Sequence, residues 1–177
     1  MILPEALTTP RLLLRKPEPE DAGPLYAACF ASSDVMRFLT WKTHAAPEES
    51  KTLLRALAER WDRGTQAHWV IVVRAGGEAA GLVSLRLEPR ANLSYLLARE
   101  HWRKGMMTEA AGAVCAWALE HPEIDLLWAF CDTENVSSVR SLEKIGFRQD
   151  GQRSRYAVFP NIGDEPRDCL LFTRERT

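Results

Sequence analysis

The chain predicts a mixed α/β fold in which one sheet carries helices on both faces, and three observations lead there. Hydrophobic periodicity alternates in the order strand, helices, three strands, helix, strand, helix, two strands. A central strand–helix–strand–helix unit preceded by antiparallel strands requires a sheet of mixed direction with the crossover helices packed on it. With 177 residues, 46% of them hydrophobic, the chain has enough apolar material for one well-buried core. No repeat, low-complexity tract or linker divides it, so residues 1–177 read as one domain.

The elements follow in order. Leu12 to Arg15 is short and apolar between Pro10 and Pro17, which suits a first strand. From Glu18 the spacing becomes helical: Ala22, Leu25, Tyr26, Cys29 and Phe30 fall on one face. A short helix begins near Ser33, and Pro47-Glu48-Glu49 opens a third with Leu53, Leu54, Leu57 and Trp61 as its buried side. After Gly64, Trp69 to Arg74 and Ala80 to Leu87 form strands across a Gly76-Gly77 turn, and Leu93 to Ala98 is a third. Beyond a helix that ends near His121-Pro122, Leu126 to Cys131 reads as a fully buried strand. Asn135 caps a helix stopped at Gly146, and strands at Arg155–Phe159 and Asp168–Thr173 flank a loop at 160–166.

Composition bounds the function. A formal charge of −1 supplies no global attraction to nucleic acid or anionic lipid, so any basic site is local. Cys29, Cys115, Cys131 and Cys169 lie apart inside apolar segments, as small reduced core residues do, with no metal-ligand or disulfide spacing. No basic leader and no membrane-length apolar run is present, and the expectation is a soluble cytoplasmic protein.

The most informative stretch is His101-Trp102-Arg103-Lys104-Gly105-Met106-Met107-Thr108-Glu109-Ala110. Met107, Ala110, Ala111, Val114 and Ala118 recur at the spacing of one helical face, so a basic loop runs directly into a buried helix. The first amides of a helix lack internal partners and carry the positive end of its dipole. With Gly105 permitting close approach and Arg99, Arg103 and Lys104 around it, the loop reads as an anion cradle, most naturally for phosphate. It is neither a P-loop nor a dinucleotide fingerprint, because the glycine spacings of both are absent. Taken alone, the same residues also suit an ordinary turn.

Trp102 to Ala110 is similar to the W-G-K-G-x-x-T-E-A of GCN5-related N-acetyltransferases of the RimJ/RimL type, the ribosomal-protein-alanine N-acetyltransferase-like subgroup. Asn135 to Phe147 resembles that subgroup's N-x-x-S-x-x-x-x-E-K-x-G-F, Thr8 to Arg15 its opening T-x-R-L-x-L-R, and Arg167-Asp168 the R-D before its last strand. Four motifs in order span almost the whole chain. The resemblance implies an acyl-CoA N-acyltransferase fold, a mostly antiparallel sheet whose parallel fourth and fifth strands splay apart to admit acetyl-CoA. Those strands would be Leu93–Ala98 and Leu126–Cys131. The diphosphate would rest on the amides of Arg103, Lys104, Gly105, Met106, Met107 and Thr108, with the thioester near Leu96 and Leu97.

Acetyl transfer from a thioester requires a neutral amine, a stabilised oxyanion and a donor for the departing thiolate. Many relatives place a Tyr donor where Leu142 stands, and Leu142 cannot donate; the candidate is Ser138, one turn after Asn135 and facing the strand ends where the resemblance puts the thioester. Ser138 and Asn135 also suffice as the first turn and cap of a helix, and in the family Asn135 would further bind pantetheine or water. The position of the family's strand base offers only Asn92 and Ser94, with Glu88, His68 and Asp132 able to act through water. At pH 7 a lysine is neutral in roughly one molecule in 2,500 and an α-amine in roughly one in seven, so a site without a strong base suits the α-amine.

Phe38, Trp41, Tyr156 and Phe159 are expected to wall the acceptor slot, with His44 or Arg155 adding polarity. Asp164 and Glu165 either favour a cationic acceptor or form a solvated turn. The expected activity is acetyl-CoA-dependent acetylation of a protein or peptide N-terminal α-amine by a monomer or homodimer. The alternatives are a small amine acceptor (antibiotic, polyamine or amino acid) and a catalytically silent acyl-CoA-binding module.

Overall fold

The computed structural model describes residues 2–87 and 90–176. Eight strands form one sheet: β1 (Ala6–Thr8), β2 (Leu12–Arg15), β3 (Gln66–Val73), β4 (Ala79–Arg86), β5 (Ala91–Leu97), β6 (Leu126–Asp132), β7 (Arg148–Val158) and β8 (Pro166–Glu175). Their spatial order is β1-β2-β3-β4-β5-β6-β8-β7, with β5 and β6 the single parallel pair. The helices are α1 (Ala22–Leu25), α2 (Ser33–Met36), α3 (Pro47–Asp62), α4 (Met106–Glu120) and α5 (Val136–Lys144).

Three expectations need correction. Strand β1 was not foreseen, because three residues are too few to display alternation; the expected fourth and fifth strands are therefore β5 and β6. Strand β7 begins at Arg148, not Arg155: its first eight residues are polar, as suits the last strand of the sheet, and give no apolar pattern to read. The helix expected from Glu18 to Phe30 starts as a 3-10 turn in which the Glu18 amide donates to Asp21 Oδ2 at 2.8 Å. It then widens into a π turn over Tyr26–Phe30, after Pro24 removes one backbone donor.

Helices pack on both faces. Helices α4 and α5 bury Ala110, Val114, Ala118 and Leu142 against odd-numbered residues of the central strands, such as Ile71, Leu85 and Leu93. The first three helices and the π turn bury Leu25, Phe30, Met36, Leu54 and Leu57 against even-numbered ones, Val70, Leu82 and Leu96. Strand period two thus assigns each side chain to one reactive side of the sheet.

The parallel pair is brief, and that shapes the site. Only Ala91↔Leu127 and Asn92↔Trp128 are in register between β5 and β6. Beyond them, Leu93 to Leu97 pair outward with β4, and Ala129 to Asp132 pair outward with β8. The two strands therefore part toward their C-terminal ends, as expected, and leave facing backbone edges open. Among the described residues no helix is long and apolar enough to cross a membrane.

Candidate functional site

At the open end of the parted strands, Gly105 is the residue before α4, with φ 72° and ψ 7°. This left-handed conformation, rather than crowding, calls for glycine: a Cβ there would meet only Arg11 Nη2, at 3.6 Å. No side chain caps α4, so the amides of Met106, Met107 and Thr108 stand at a bare helix N-terminus. Arg103 is also left-handed, at φ 60°.

The loop is held from the far end of the sequence. Arg11 Nε donates to Glu109 Oε2 at 2.6 Å, its amide to Oε1 at 2.9 Å, and its Nη1 to the Lys104 carbonyl at 2.8 Å. The Thr9 hydroxyl donates to Glu109 Oε1 at 2.6 Å. Burial pushes the Glu109 carboxyl upward, but these donors outweigh it and hold it below the usual carboxylate value. Two of the sequence motifs thus meet in one clamp. On the other side, Trp102 Nε1 donates to the Leu97 carbonyl at 2.7 Å, tying the loop to the end of β5.

A cleft of about 1490 Å³ runs from this loop through the parted strands, larger than a pocket for one drug-sized ligand and so roomy enough for two reactants. Of the expected cofactor residues, Leu96, Leu97, Arg103, Gly105, Met106 and Met107 line it, together with Thr108 and Asn135. Lys104 does not; its carbonyl serves the Arg11 clamp instead. Ser138, Phe38 and Trp41 also face the cleft.

Tyr156 does not line the cleft. Irregular register between Arg153 and Ala157, with Arg155 at φ 49°, turns it outward, edge-on to Phe130 at 5.2 Å. Phe159 lines the cleft, edge-on to Phe38 at 6.5 Å. His44 packs on Phe30 and Trp41 and bonds Ser50 Oγ at 2.8 Å, supporting the wall from behind. Arg155 and Glu165 pair with each other at 3.0 Å, and neither they nor Asp164 line the cleft.

At the parted strands, Ser138 Oγ lies 2.9 Å from Tyr95 Oη. Tyr95 stands on β5 and reaches across to α5, and burial raises its pKa, so the phenol stays protonated at neutral pH. Leu142, 1% exposed, is core. The Asn135 Oδ1 accepts the Ser138 amide at 3.2 Å and the Ser137 hydroxyl at 3.0 Å, so its capping role is met in full. Burial pushes the neighbouring Cys131 thiol up to about 11, and all four cysteines are buried and free.

The base candidates fare unequally. Asp132, fully buried, accepts both Nε and Nη2 of Arg167, at 2.5 and 3.2 Å, which pins the end of β6 to β8 and accounts for the R-D pair. Burial, then Arg60 and Arg86, push the His68 pKa down to about 4, so its imidazole is neutral at pH 7. Asn92 donates to the Trp128 carbonyl at 3.3 Å where the strands separate, and Ser94 lines the cleft. Glu88 lies outside the described residues.

Sequence reading missed three features. Asn161 accepts the Thr43 amide and hydroxyl at 2.9 and 3.0 Å and donates to the Met36 and Trp41 carbonyls at 2.7 and 2.8 Å. It locks the segment that carries Phe38 and Trp41. Trp128 and Phe130 are half-buried rather than buried on both faces as expected, and both line the cleft. Tyr95 faces α5 because strand alternation puts it on the side opposite Ser94, the one signal that could have found it.

Residues 11–148 match the family model described as an acetyltransferase (GNAT) domain. YoaA, an uncharacterized N-acetyltransferase of Bacillus subtilis (strain 168), is 27% identical over 154 residues, covering 85% of this chain and 86% of the relative. MccE, a microcin self-immunity acetyltransferase solved with acetyl-CoA and AMP, superposes with a TM-score of 0.88 at 15% identity over 98% of both chains. RimL, a ribosomal L7/L12 α-N-protein acetyltransferase solved with coenzyme A, gives 0.86 at 18% identity over 97% of this chain and 98% of that one. At these identities the two structures establish a shared fold.

Proposed function

Since the chain belongs to the GNAT acetyltransferase domain family and is an acetyl-CoA-dependent N-acetyltransferase, we propose that its acceptor is an amine of low pKa, foremost the α-amine of a peptide or protein N-terminus. One observation carries this. Among the described residues, each carboxylate on the cleft wall is engaged by an arginine, Asp34 by Arg99 and Glu134 by Arg167, and the buried His68 is neutral with a depressed pKa. Neither the paired carboxylates nor His68 is suited to deprotonating a lysine-like ammonium, and His101, the other imidazole on the wall, stands beside Glu100 at the loop before α4, so the amine arrives already neutral.

In this reading the diphosphate is held by the amides from Arg103 to Thr108 at the α4 terminus, the fit suggested by the uncapped helix and the left-handed Gly105. Acetyl-CoA supplies an activated acyl group. The open backbone edge at Leu96 and Leu97 orients the acyl arm, and Asn135 keeps α5 in place beside it. Ser138 donates a hydrogen bond to the departing thiolate, and Tyr95 fixes the direction of that hydroxyl. Phe38, Trp41 and Phe159 wall the acceptor side. The RimL neighbour is described as acting on a protein α-amine, which accords with this choice.

The test is thiol release from acetyl-CoA with a peptide α-amine and a lysine side chain in direct competition at pH 7. Faster acetylation of the α-amine is expected, with kcat/KM rising to a plateau near the pKa of the acceptor. Preferential lysine acetylation would overturn the proposal. Cofactor binding without thiol release across a broad amine panel would mark a silent binding module.

A further inference from the structure

The face of the sheet beneath α3 is apolar over Val70, Leu82 and Leu96, then changes character. Two neighbouring cross-strand rows are polar: His68, Ser84 and Ser94 in one, Gln66, Arg86 and Asn92 in the next. They lead to the point where β5 and β6 separate, and all six residues line the cleft.

His68 is only 5% exposed. Its Nδ1 shares a hydrogen with Ser84 Oγ at 2.7 Å, while its buried Nε2 has no partner among the described residues. Buried polar nitrogens in folded proteins are nearly always paired, so this one calls for a ligand. Arg60, from α3, and Arg86 are on the same wall and close enough to depress the His68 pKa. Neither pairs with a carboxylate among the described residues, although both wall carboxylates are matched to other arginines. Arg86 lies opposite Asn92, and five strand steps from Asn92 to Leu97 span about 17 Å. These cations are thus well removed from a diphosphate at the α4 terminus and remain available to a second anion.

We propose that the acceptor amine carries a carboxylate, bound by Arg60 and Arg86 with His68 Nε2–H as a third donor. In that arrangement Ser84 donates its hydroxyl proton to Nδ1, the direction of this contact that leaves the imidazole hydrogen on Nε2. Arginine suits this task because its fork matches a carboxylate in two bonds. The inference rests on the acceptor side of the cleft assigned above and narrows its substrate class to acidic amines.

The experiment compares C-terminally amidated tripeptides that share a free N-terminus and carry glutamate, glutamine or lysine at positions two and three, alongside a free amino diacid, with the wild type and the R60E/R86E variant. The expected wild-type kcat/KM for the acidic tripeptide exceeds that for the basic one at least tenfold. The variant should reverse the order while the KM for acetyl-CoA changes less than twofold. A diacid taken up as well as the acidic tripeptide identifies a single amino acid as sufficient. Equal rates for all tripeptides in the wild type, or a uniform loss in the variant, overturns the proposal. Calorimetric titration of the same peptides in the presence of coenzyme A reads the preference without turnover. Binding of acidic peptides without thiol release then sinks the α-amine reading alone, and indifference to charge with normal turnover sinks this one alone.

Discussion

The two ends of the cleft are held by different means. At the end proposed for the cofactor, the groups on offer are backbone amides at one helix terminus, shaped by Gly105 and fastened by the Arg11–Glu109 clamp. At the end proposed for the acceptor they are side chains from α2 and the segment after it, α3, β3, β4, β6 and the β7–β8 loop, fastened by the four hydrogen bonds of Asn161. A backbone cradle is indifferent to most side-chain changes nearby, so it can persist while the other end changes its occupant. Between the two stands the Ser138–Tyr95 pair.

Substitutions should separate the ends. The largest effect is expected at the junction: Ser138→Ala should lower kcat about 100-fold, the usual scale for a positioned proton donor, with the acetyl-CoA KM within threefold of wild type in steady-state assays. Equal losses in kcat and cofactor affinity would erase the distinction between chemistry and cradle. Next, Gly105→Val forces a β-branched residue into the left-handed region at roughly 1–2 kcal/mol, so calorimetry should find coenzyme A bound about tenfold more weakly, with acceptor preference unchanged.

Asn161→Ala should do the reverse, raising the acceptor KM roughly fivefold while coenzyme A affinity holds, since two carbonyls and one amide lose their partner. The smallest effect concerns Glu109. Its depressed carboxyl pKa means that the clamp contributes fully above the unfolded value of about 4.3 and is lost as pH falls through the folded value. Glu109→Gln should therefore cost about 1 kcal/mol at pH 7 in thermal melts and flatten the acid limb of stability. An unchanged acid limb would show that the clamp does not fasten the loop.

How much of this was legible in the residues follows from how far apart the partners are. Gly105, Met107 and Ala110 lie within six residues at one helix entry, and the periodicity that follows declares the helix. Asn135 and Ser138 sit one turn apart, so the cap was equally plain. Tyr156 was misplaced because a register irregularity in β7 reversed its direction, an event that no local pattern announces. Asn161 looked like an ordinary loop residue, and its partners are 118 to 125 positions away.

By itself the sequence determined the order of most strands and helices and the glycine turn that opens α4, because both depend on spacing within a few residues. The tertiary structure alone decided that β5 and β6 part after Asn92, that Tyr95 meets Ser138, and that Arg60 and Arg86 flank a buried imidazole. Each of these depends on which strand faces which, and sheet register is set by packing across the whole core rather than by any one segment.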